Sequence, residues 1–238
     1  EKDRLKNVEL VSITLKGDVE VAKPEYRDSF HINSLFVSGP IREAVAEGRA
    51  DFIPVFLSDI PDLFHNKILE LDTAIVQVSP PDKQGYVSLG VSVDIARSAV
   101  DNAKKIIAMV NPMMPRTHGD GMIHTARFTK MVFHEAELPE ESYTSKIGEN
   151  ELKIGKYIAD MIEDGSTLQM GIGTIPDAVL SLLGDHKNLG VHTEMMSDGV
   201  IDLIEKDVIN NRKKKIHPNK SVTSFALGSR KLYDYVDD

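Results

Sequence analysis

The sequence predicts an α/β protein with largely parallel sheets and flanking helices, and two observations support this prediction. Apolar, β-rich segments alternate along the chain with segments whose apolar residues recur at helical spacing. Loops rich in glycine, proline and aspartate follow several of the predicted strands. Because ligands of α/β proteins bind at the carboxyl ends of the strands, these loops are expected to carry functional residues.

Each predicted element rests on a local pattern of this kind. The predicted strands before the central stretch occupy residues 7–14, 34–38, 51–57, 72–78, 106–110 and 127–133. The predicted helices occupy residues 40–48, 61–64, 95–103 and 149–163. The run at 72–78 is continuously apolar, which predicts a strand buried on both faces. The acidic, proline-containing segment 135–142 predicts a linker.

The composition limits the classes of protein to consider. The 238 residues carry a net charge of −9, which argues against a general binder of nucleic acid or anionic membranes. The absence of cysteine excludes disulfides, zinc–thiolate sites and cysteine nucleophiles, and it agrees with a cytoplasmic location. No apolar run in the sequence reaches the length of a membrane span.

The most informative stretch comprises residues 167–199. A strand predicted at 167–170 runs into the turn Gly171-Ile172-Gly173, and Thr174 stands where the N-cap of the next helix is expected. A second strand, at 189–193, is followed directly by Glu194. In a parallel sheet the turn and Glu194 share one edge, where a helix N-terminus favours negative charge. A carboxylate and an oxyanion-stabilising turn are therefore expected in one crevice.

Other interpretations of this stretch stay open at this point. The Gly-x-Gly pair is equally well explained as a plain turn between a strand and a helix. A nicotinamide-binding domain is a second alternative, although Pro176 occupies the place of the third glycine in the dinucleotide fingerprint. A non-catalytic fragment or assembly module is the third.

The remaining polar clusters favour structural roles. His192, beside Glu194, is expected to be structural rather than a general base. His118, Asp120 and His124 lie in a loop without the helical spacing of metal ligands, so we expect no metal site. The basic run at residues 212–215 is expected to be a solvated surface.

Six longer segments together resemble the acetyl-CoA hydrolase/transferase family, in particular its 4-hydroxybutyrate and butyrate:acetate CoA-transferases. They are HINSLFVSGPIREAVAEGRADFIPVFLSDIP, QVSPPDKQGYVSLGVSVD, NPMMPRTHGDGMIH, GIGTIPDAVLSLL, HTEMMSDGVIDLI and SFALGSRKLYDYV. The resemblance implies a class I CoA-transferase-like fold. Its substrates would be an acyl-CoA and a short-chain carboxylate such as acetate, with coenzyme A as co-substrate, no metal, and a homodimer as the assembly.

Members of that family are longer than this chain. The resemblance therefore implies that residues 1–145 form an amino-terminal α/β domain whose start is missing. Residues 146–238 would be the first part of a carboxy-terminal α/β domain, which is incomplete and carries the catalytic glutamate.

The resemblance also assigns roles to individual residues. The nucleophilic glutamate of the family's H-[ST]-E-M motif maps to Glu194. The CoA-binding turn maps to Gly171, Ile172, Gly173, Thr174 and Ile175. CoA would be transferred through a glutamyl-CoA thioester, and water as the acceptor would make the protein a hydrolase. The loops at residues 79–85 and 111–121 are predicted to form the acyl or acceptor pocket.

Overall fold

A computed structural model describes residues 5–142 and 146–237 of the chain. It contains two compact units, Glu1–Glu70 and Leu71–Asp238. The domain boundary predicted between residues 145 and 146 adjoins residues 143–145, which lie outside the described part, so that division stays a prediction.

The first unit is built on a small parallel sheet. Its strands are β1 (Val8–Ser12), β2 (Phe30–Ser34) and β3 (Ala50–Phe52), in that order, with helices α1 (Arg42–Ala46) and α2 (Ile60–His65). The strand predicted at 34–38 is wrong, because β2 ends at Ser34. There the Ser34 hydroxyl donates to the carbonyl of Phe36 at 2.6 Å and closes a turn.

The second unit begins with another parallel sheet. Its strands are β4 (Thr73–Val78), β6 (Lys105–Val110) and β8 (Lys130–Phe133), in the order β4-β6-β8, and helix α3 (Asp94–Asn102) precedes β6. An antiparallel pair, β5 (Tyr86–Ser88) with β7 (Met122–His124), lies between these elements in the chain.

Strand β4 is covered on one face only, which corrects the prediction of burial on both faces. Ala74 and Val76 are buried, whereas Ile75 between them is 71% exposed. The apolar run indicated a strand correctly, but β-branched residues favour strands whether or not both faces are covered.

The second unit continues with the sheet that contains the central stretch. The sheet is parallel, with the order β11-β10-β9: β9 (Thr167–Leu168), β10 (Gly190–Met196) and β11 (Val222–Ala226). Four helices accompany it: α4 (Glu149–Ala159), α5 (Thr174–Ser181), α6 (Gly199–Glu205) and α7 (Arg230–Val236). Their apolar side chains form one core with Val191 and Met196 of β10. In the described part of the chain, no helix is long and apolar enough to cross a bilayer.

Helix α4 forms where its periodicity predicts a helix, but it ends at Ala159 rather than Glu163, and its apolar stripe faces outward. Tyr157 is 74% exposed, and Ile154 and Ile158 are also exposed. The helix packs on α5 through Gly155, where an added Cβ would lie 3.1 Å from the backbone carbonyl carbon of Ala178. Close backbone contact, rather than the apolar stripe, therefore decides which face is buried.

The predicted linker at 135–142 has neither helix nor strand, yet it is held at several points. The Tyr233 hydroxyl donates to the carbonyl of Pro139 at 2.6 Å, and the amide of Glu141 donates to the carbonyl of Gly228 at 3.0 Å. Leu138 is buried against Tyr233. This segment is therefore packed on α7 and the turn before it.

A buried carboxyl connects the start of α5 to the connection that precedes α6. Asp177 is buried, and the Ser197 hydroxyl donates to its Oδ1 at 2.9 Å. Burial raises the pKa of the Asp177 carboxyl; the Ser197 hydrogen bond opposes this shift, and the nearby Asp198 charge adds to it.

We expect Asp177→Asn to change how stability depends on pH. A raised native pKa means that the native state binds more protons than the unfolded state above the ordinary aspartate pKa of about 3.9. The wild-type protein should therefore lose stability relative to the variant as the pH rises from about 4, until the native carboxyl is fully ionised. Urea unfolding of both proteins between about pH 4 and 8 measures this difference. A difference independent of pH, or a wild-type protein that gains stability relative to the variant as the pH rises, would contradict the expectation.

Candidate functional site

Three helices begin at one edge of the sheet that contains β10. Strands β9, β10 and β11 are parallel and are followed by α5, α6 and α7, respectively, so the helix N-termini gather at the carboxyl edge of the sheet. Asp198 ties two of these termini together, because it accepts hydrogen bonds from the Ser229 amide and hydroxyl at 2.9–3.1 Å. This edge combines aligned helix dipoles with exposed strand ends, which is a suitable setting for an anionic ligand.

The glycine turn lies at this edge, and the N-cap of the helix that follows it is one residue earlier than predicted. Gly173, not Thr174, is the N-cap of α5, and its φ of 127° is a conformation that glycine adopts readily and other residues do not. The first helical hydrogen bond runs from the Asp177 amide to the Gly173 carbonyl at 3.1 Å. Gly171 is exposed, so backbone rather than side chain borders the solvent here.

An apolar cavity of about 170 Å³ lies beside this turn. It is bounded by α4, α5 and the chain from β9 into the turn. Its lining includes Ile158, Ile162, Leu168, Met170, Gly171 and Pro176.

Glu194 lies within β10, two residues before the strand ends, whereas the sequence placed it just after the strand. Its side chain is exposed. Its backbone carbonyl accepts hydrogen bonds from two hydroxyls, Thr223 Oγ1 at 3.0 Å and Ser224 Oγ at 2.9 Å. Among the described pairs, the register of β10 with β11 includes the neighbours of Glu194 but not Glu194 itself.

Thr193, the residue before Glu194, joins strand β10 to the backbone just before the glycine turn. The buried Thr193 hydroxyl accepts from the Met170 amide at 2.9 Å and lies 2.8 Å from the Met170 carbonyl, to which it can donate. Met170 directly precedes Gly171, and Thr193 directly precedes Glu194. Thr193 was not among the predicted site residues, and its place in the H-[ST]-E-M motif is the sequence signal that could have identified it.

The two loops predicted to form the acyl or acceptor pocket contact one another. Arg116 Nη2 donates to Asp82 Oδ2 at 2.6 Å, and Ser88 Oγ lies 2.8 Å from the Thr117 carbonyl. The Tyr86 amide, which donates to Asp82 at 2.7 Å, lowers the pKa of that carboxyl, and Arg116 acts in the same direction. The loops at 79–85 and 111–121 thus form one polar assembly.

This assembly is connected to the strand beside Glu194. The chain after β5 runs antiparallel to β11, with hydrogen bonds from the Ala226 amide to the Val91 carbonyl at 2.8 Å and from the Val93 amide to the Ser224 carbonyl at 3.0 Å. Ser224 is also the residue whose hydroxyl contacts the Glu194 carbonyl. The stem of the loop region therefore lies one strand away from Glu194.

The basic run at 212–215 is not a uniformly solvated surface. Lys214 is buried, and its Nζ donates to the carbonyls of Val191 at 2.6 Å and Lys220 at 2.5 Å. Burial lowers the pKa of the Lys214 ammonium. Asn211 Oδ1 accepts from the Val191 amide at 2.8 Å, so side chains hold both polar backbone groups of Val191.

The histidines of the sequence analysis lie in different settings. His192 is exposed and borders an open concavity of about 310 Å³ that Lys213 and Lys215 also line. The two ring nitrogens of His124 contact the Gln84 carbonyl and the Ala126 amide at 3.2 Å. Within residues 5–142 and 146–237, no group of three or more histidine or acidic side chains is arranged to hold a metal ion.

Comparison with known proteins gives one consistent result. Residues 1–162 match the acetyl-CoA hydrolase/transferase N-terminal domain. The 4-hydroxybutyrate coenzyme A transferase of Clostridium kluyveri is 48% identical over 238 residues, which are 100% of this chain and 55% of that protein. The succinyl-CoA:acetate/propanoyl-CoA:succinate CoA transferase of Fasciola hepatica is 48% identical over 98% of this chain and 48% of its own length.

Solved structures agree with the sequence relatives. RipA from Yersinia pestis superimposes with a TM-score of 0.93 at 31% identity, over 100% of this chain and 57% of its own. The 4-hydroxybutyrate CoA-transferase of Porphyromonas gingivalis superimposes with a TM-score of 0.79 at 36% identity, over 98% of this chain and 62% of its own. The chain spans about half the length of the curated relatives it matches, and it belongs to the acetyl-CoA hydrolase/transferase family.

Proposed function

We propose that this chain supplies the nucleophile and part of the CoA site of a CoA-transferase. The enzyme would move CoA between a short-chain acyl-CoA and a carboxylate such as acetate. The observation that carries the proposal is the juxtaposition of Glu194 with the glycine turn, through the two contacts between Thr193 and Met170. Because Glu194 follows Thr193 and Gly171 follows Met170, these contacts join the backbone that carries the carboxylate to the backbone of the turn.

The proposed reaction has two steps, formation of an acyl-glutamyl anhydride and then of a glutamyl-CoA thioester, which the acceptor carboxylate reverses. The Glu194 carboxylate attacks the thioester carbonyl and expels CoA thiolate, which leaves an acyl-glutamyl anhydride. The thiolate then attacks the glutamyl carbonyl and releases the carboxylic acid as its anion, which leaves a glutamyl-CoA thioester. An incoming carboxylate reverses both steps and leaves with CoA.

The described residues fit the demands of this chemistry. A glutamate carboxylate can act directly as a covalent nucleophile, and the Glu194 side chain is exposed and therefore accessible to a substrate. Each exchange passes through a tetrahedral intermediate with an oxyanion, for which backbone amides after Gly171 are candidate donors. Such a donor is typically worth about 10²–10³ in rate. These amides support our proposal that the turn formed by residues 171–175 belongs to the CoA site.

Relatives support the choice of substrates. Three of the relatives named as CoA-transferases carry the names of short-chain substrates: 4-hydroxybutyrate, succinyl-CoA or propanoyl-CoA with acetate or succinate, and butyryl-CoA with acetate. These three are 48%, 48% and 32% identical to this chain. Proteins named as acetyl-CoA hydrolases are only 24–26% identical. Hydrolysis is therefore the second candidate. Release of CoA from acetyl-CoA without an acceptor carboxylate, at the rate seen with one, would favour it.

Two further parts of the proposal concern the whole protein. We propose that it acts in the cytoplasm and assembles as a homodimer. Cell fractionation tests the first statement, and light scattering coupled to size-exclusion chromatography tests the second. A monomer at micromolar concentration would exclude the dimer.

In the protein as its gene encodes it, Glu194→Ala should abolish CoA transfer and Glu194→Asp should slow it about 10²-fold. Aspartate is one methylene shorter, and a displacement near 1 Å can reduce a rate by about that factor. Mass spectrometry after incubation with acyl-CoA and hydroxylamine or borohydride should find the modified peptide only when Glu194 is present. Glu163→Ala, which removes another exposed glutamate of the same unit, is the control. Near-normal turnover by Glu194→Ala would exclude the covalent mechanism.

Gly173→Val should damage CoA turnover far more than folding. Valine is strained at a φ of 127°, by about 1–3 kcal/mol, and its side chain would project beside the backbone assigned to CoA. Gly17→Val is the matched control, because Gly17 also has a positive φ and an added Cβ there would meet nothing within 4 Å. Both variants should lose similar stability in thermal unfolding, but only Gly173→Val should lose turnover. Equal turnover in the two variants would make the glycine turn a plain structural one.

The 238-residue polypeptide by itself should be poorly soluble and inactive. Within the described residues, β9 pairs on one side only, and the apolar stripe of α4 and the cavity beside it are open. Family members extend beyond the region matched here, and we propose that such additional chain covers these surfaces and completes the CoA site. Light scattering and an activity assay of the isolated polypeptide test this expectation. A soluble, monomeric and active preparation would refute it.

A further inference from the structure

The hydrogen bonds that join β9 to β10 change from backbone pairs to side-chain contacts just before the glycine turn. The two strands pair through backbone only at Thr167 with Gly190 and at Leu168 with Val191. Two residues later, both polar backbone groups of Met170 contact the hydroxyl of Thr193, at 2.9 and 2.8 Å. Thus, where β9 ends, Thr193 Oγ1 replaces the backbone-to-backbone hydrogen bonds that pair the two strands earlier.

The Thr193 side chain is well suited to hold a fixed distance. It is only 5% exposed, and its β-branched side chain has restricted rotation in a strand. The carbonyls of Met170 and Met195, 2.8 and 3.0 Å from Oγ1, are alternative acceptors for its single proton, while the Met170 amide donates to the same oxygen. The hydroxyl therefore bridges two rigid backbone segments rather than a mobile surface.

The opposite flank of β10 is held in the same manner. The hydroxyls of Thr223 and Ser224 contact the Glu194 carbonyl, and the side chains of Asn211 and Lys214 hold Val191. The backbone that presents Glu194 is therefore fixed on both sides by side chains.

We propose that the Thr193 hydroxyl is a positioning group that sets the distance between the Glu194 carboxylate and the amides of the glycine turn. This inference rests on the proposed function. The path is short: Glu194 follows Thr193 directly, and Gly171 follows Met170 directly. Loss of the hydroxyl would leave the two Met170 contacts unmade and allow the turn to move away from β10, while Glu194 itself stays intact.

Three variants of the protein as its gene encodes it test the proposal. Thr193→Val keeps the shape and removes the hydroxyl, and Thr193→Ser keeps the hydroxyl and removes the methyl. Ser197→Ala is the matched control, because Ser197 is similarly buried, at 6% exposure, and its hydroxyl bonds Asp177 rather than the turn. The measurements are the single-turnover rate of covalent adduct formation on Glu194, the melting temperature, and hydrogen exchange of the Met170 amide.

Thr193→Val should slow adduct formation about 10²-fold, the effect expected of a displacement near 1 Å, and should speed exchange of the Met170 amide. Thr193→Ser should restore most of the rate. Ser197→Ala should lower the melting temperature to a similar degree while adduct formation stays close to wild type.

Several results would overturn the proposal. A wild-type rate in Thr193→Val would show that the hydroxyl does not position the site. A rate in Thr193→Ser as slow as in Thr193→Val would assign the effect to the methyl group. If Ser197→Ala slowed adduct formation equally, the effect of Thr193→Val would be one of general destabilisation. If the wild-type protein forms no adduct on Glu194, the proposed function fails and this proposal fails with it, which the wild-type measurement alone reveals.

Discussion

The parallel direction of β9, β10 and β11 is the constraint on which the candidate site depends. Parallel strands end at one edge, so the glycine turn, Glu194 and the starts of three helices come together although they are separated in sequence. An antiparallel neighbour would have sent the turn after β9 to the opposite edge from the end of β10. The parallel direction of the strands therefore brings these segments to one edge, whatever side chains they carry.

Much of this arrangement could be predicted from the sequence, because the relevant patterns are local. The turn at 171–173 combines glycines with a following apolar helix, and the strands on either side are β-rich. The motif indicates Glu194 as the candidate nucleophile, but its position inside β10 could not be predicted, since strand ends depend on the partner strand. The one-residue shift of the N-cap to Gly173 has the same origin, because a positive φ does not follow from residue type alone.

What could not be predicted depends on tertiary contacts. The periodicity of α4 gave the helix but not its buried face, which the close approach of Gly155 to α5 decides. A run of four basic residues gave no sign that Lys214 would be buried against the Val191 carbonyl while its neighbours stay exposed. Threonine is a common residue in strands, so Thr193 does not stand out in the sequence. Its proposed role depends on the contact of its Oγ1 with Met170, a residue that only the fold brings within hydrogen-bond distance.

The pairing of residues 91–93 with β11 has a consequence for engineering. The loops that bear Asp82 and Arg116 and the strand that supports Glu194 share one hydrogen-bonded framework. Exchange of those loops between relatives, to test whether they form the proposed acceptor pocket, would therefore also disturb the backbone that supports Glu194. Chimaeras that exchange the loops together with β11 preserve this pairing, so the smallest interchangeable block is discontinuous in sequence.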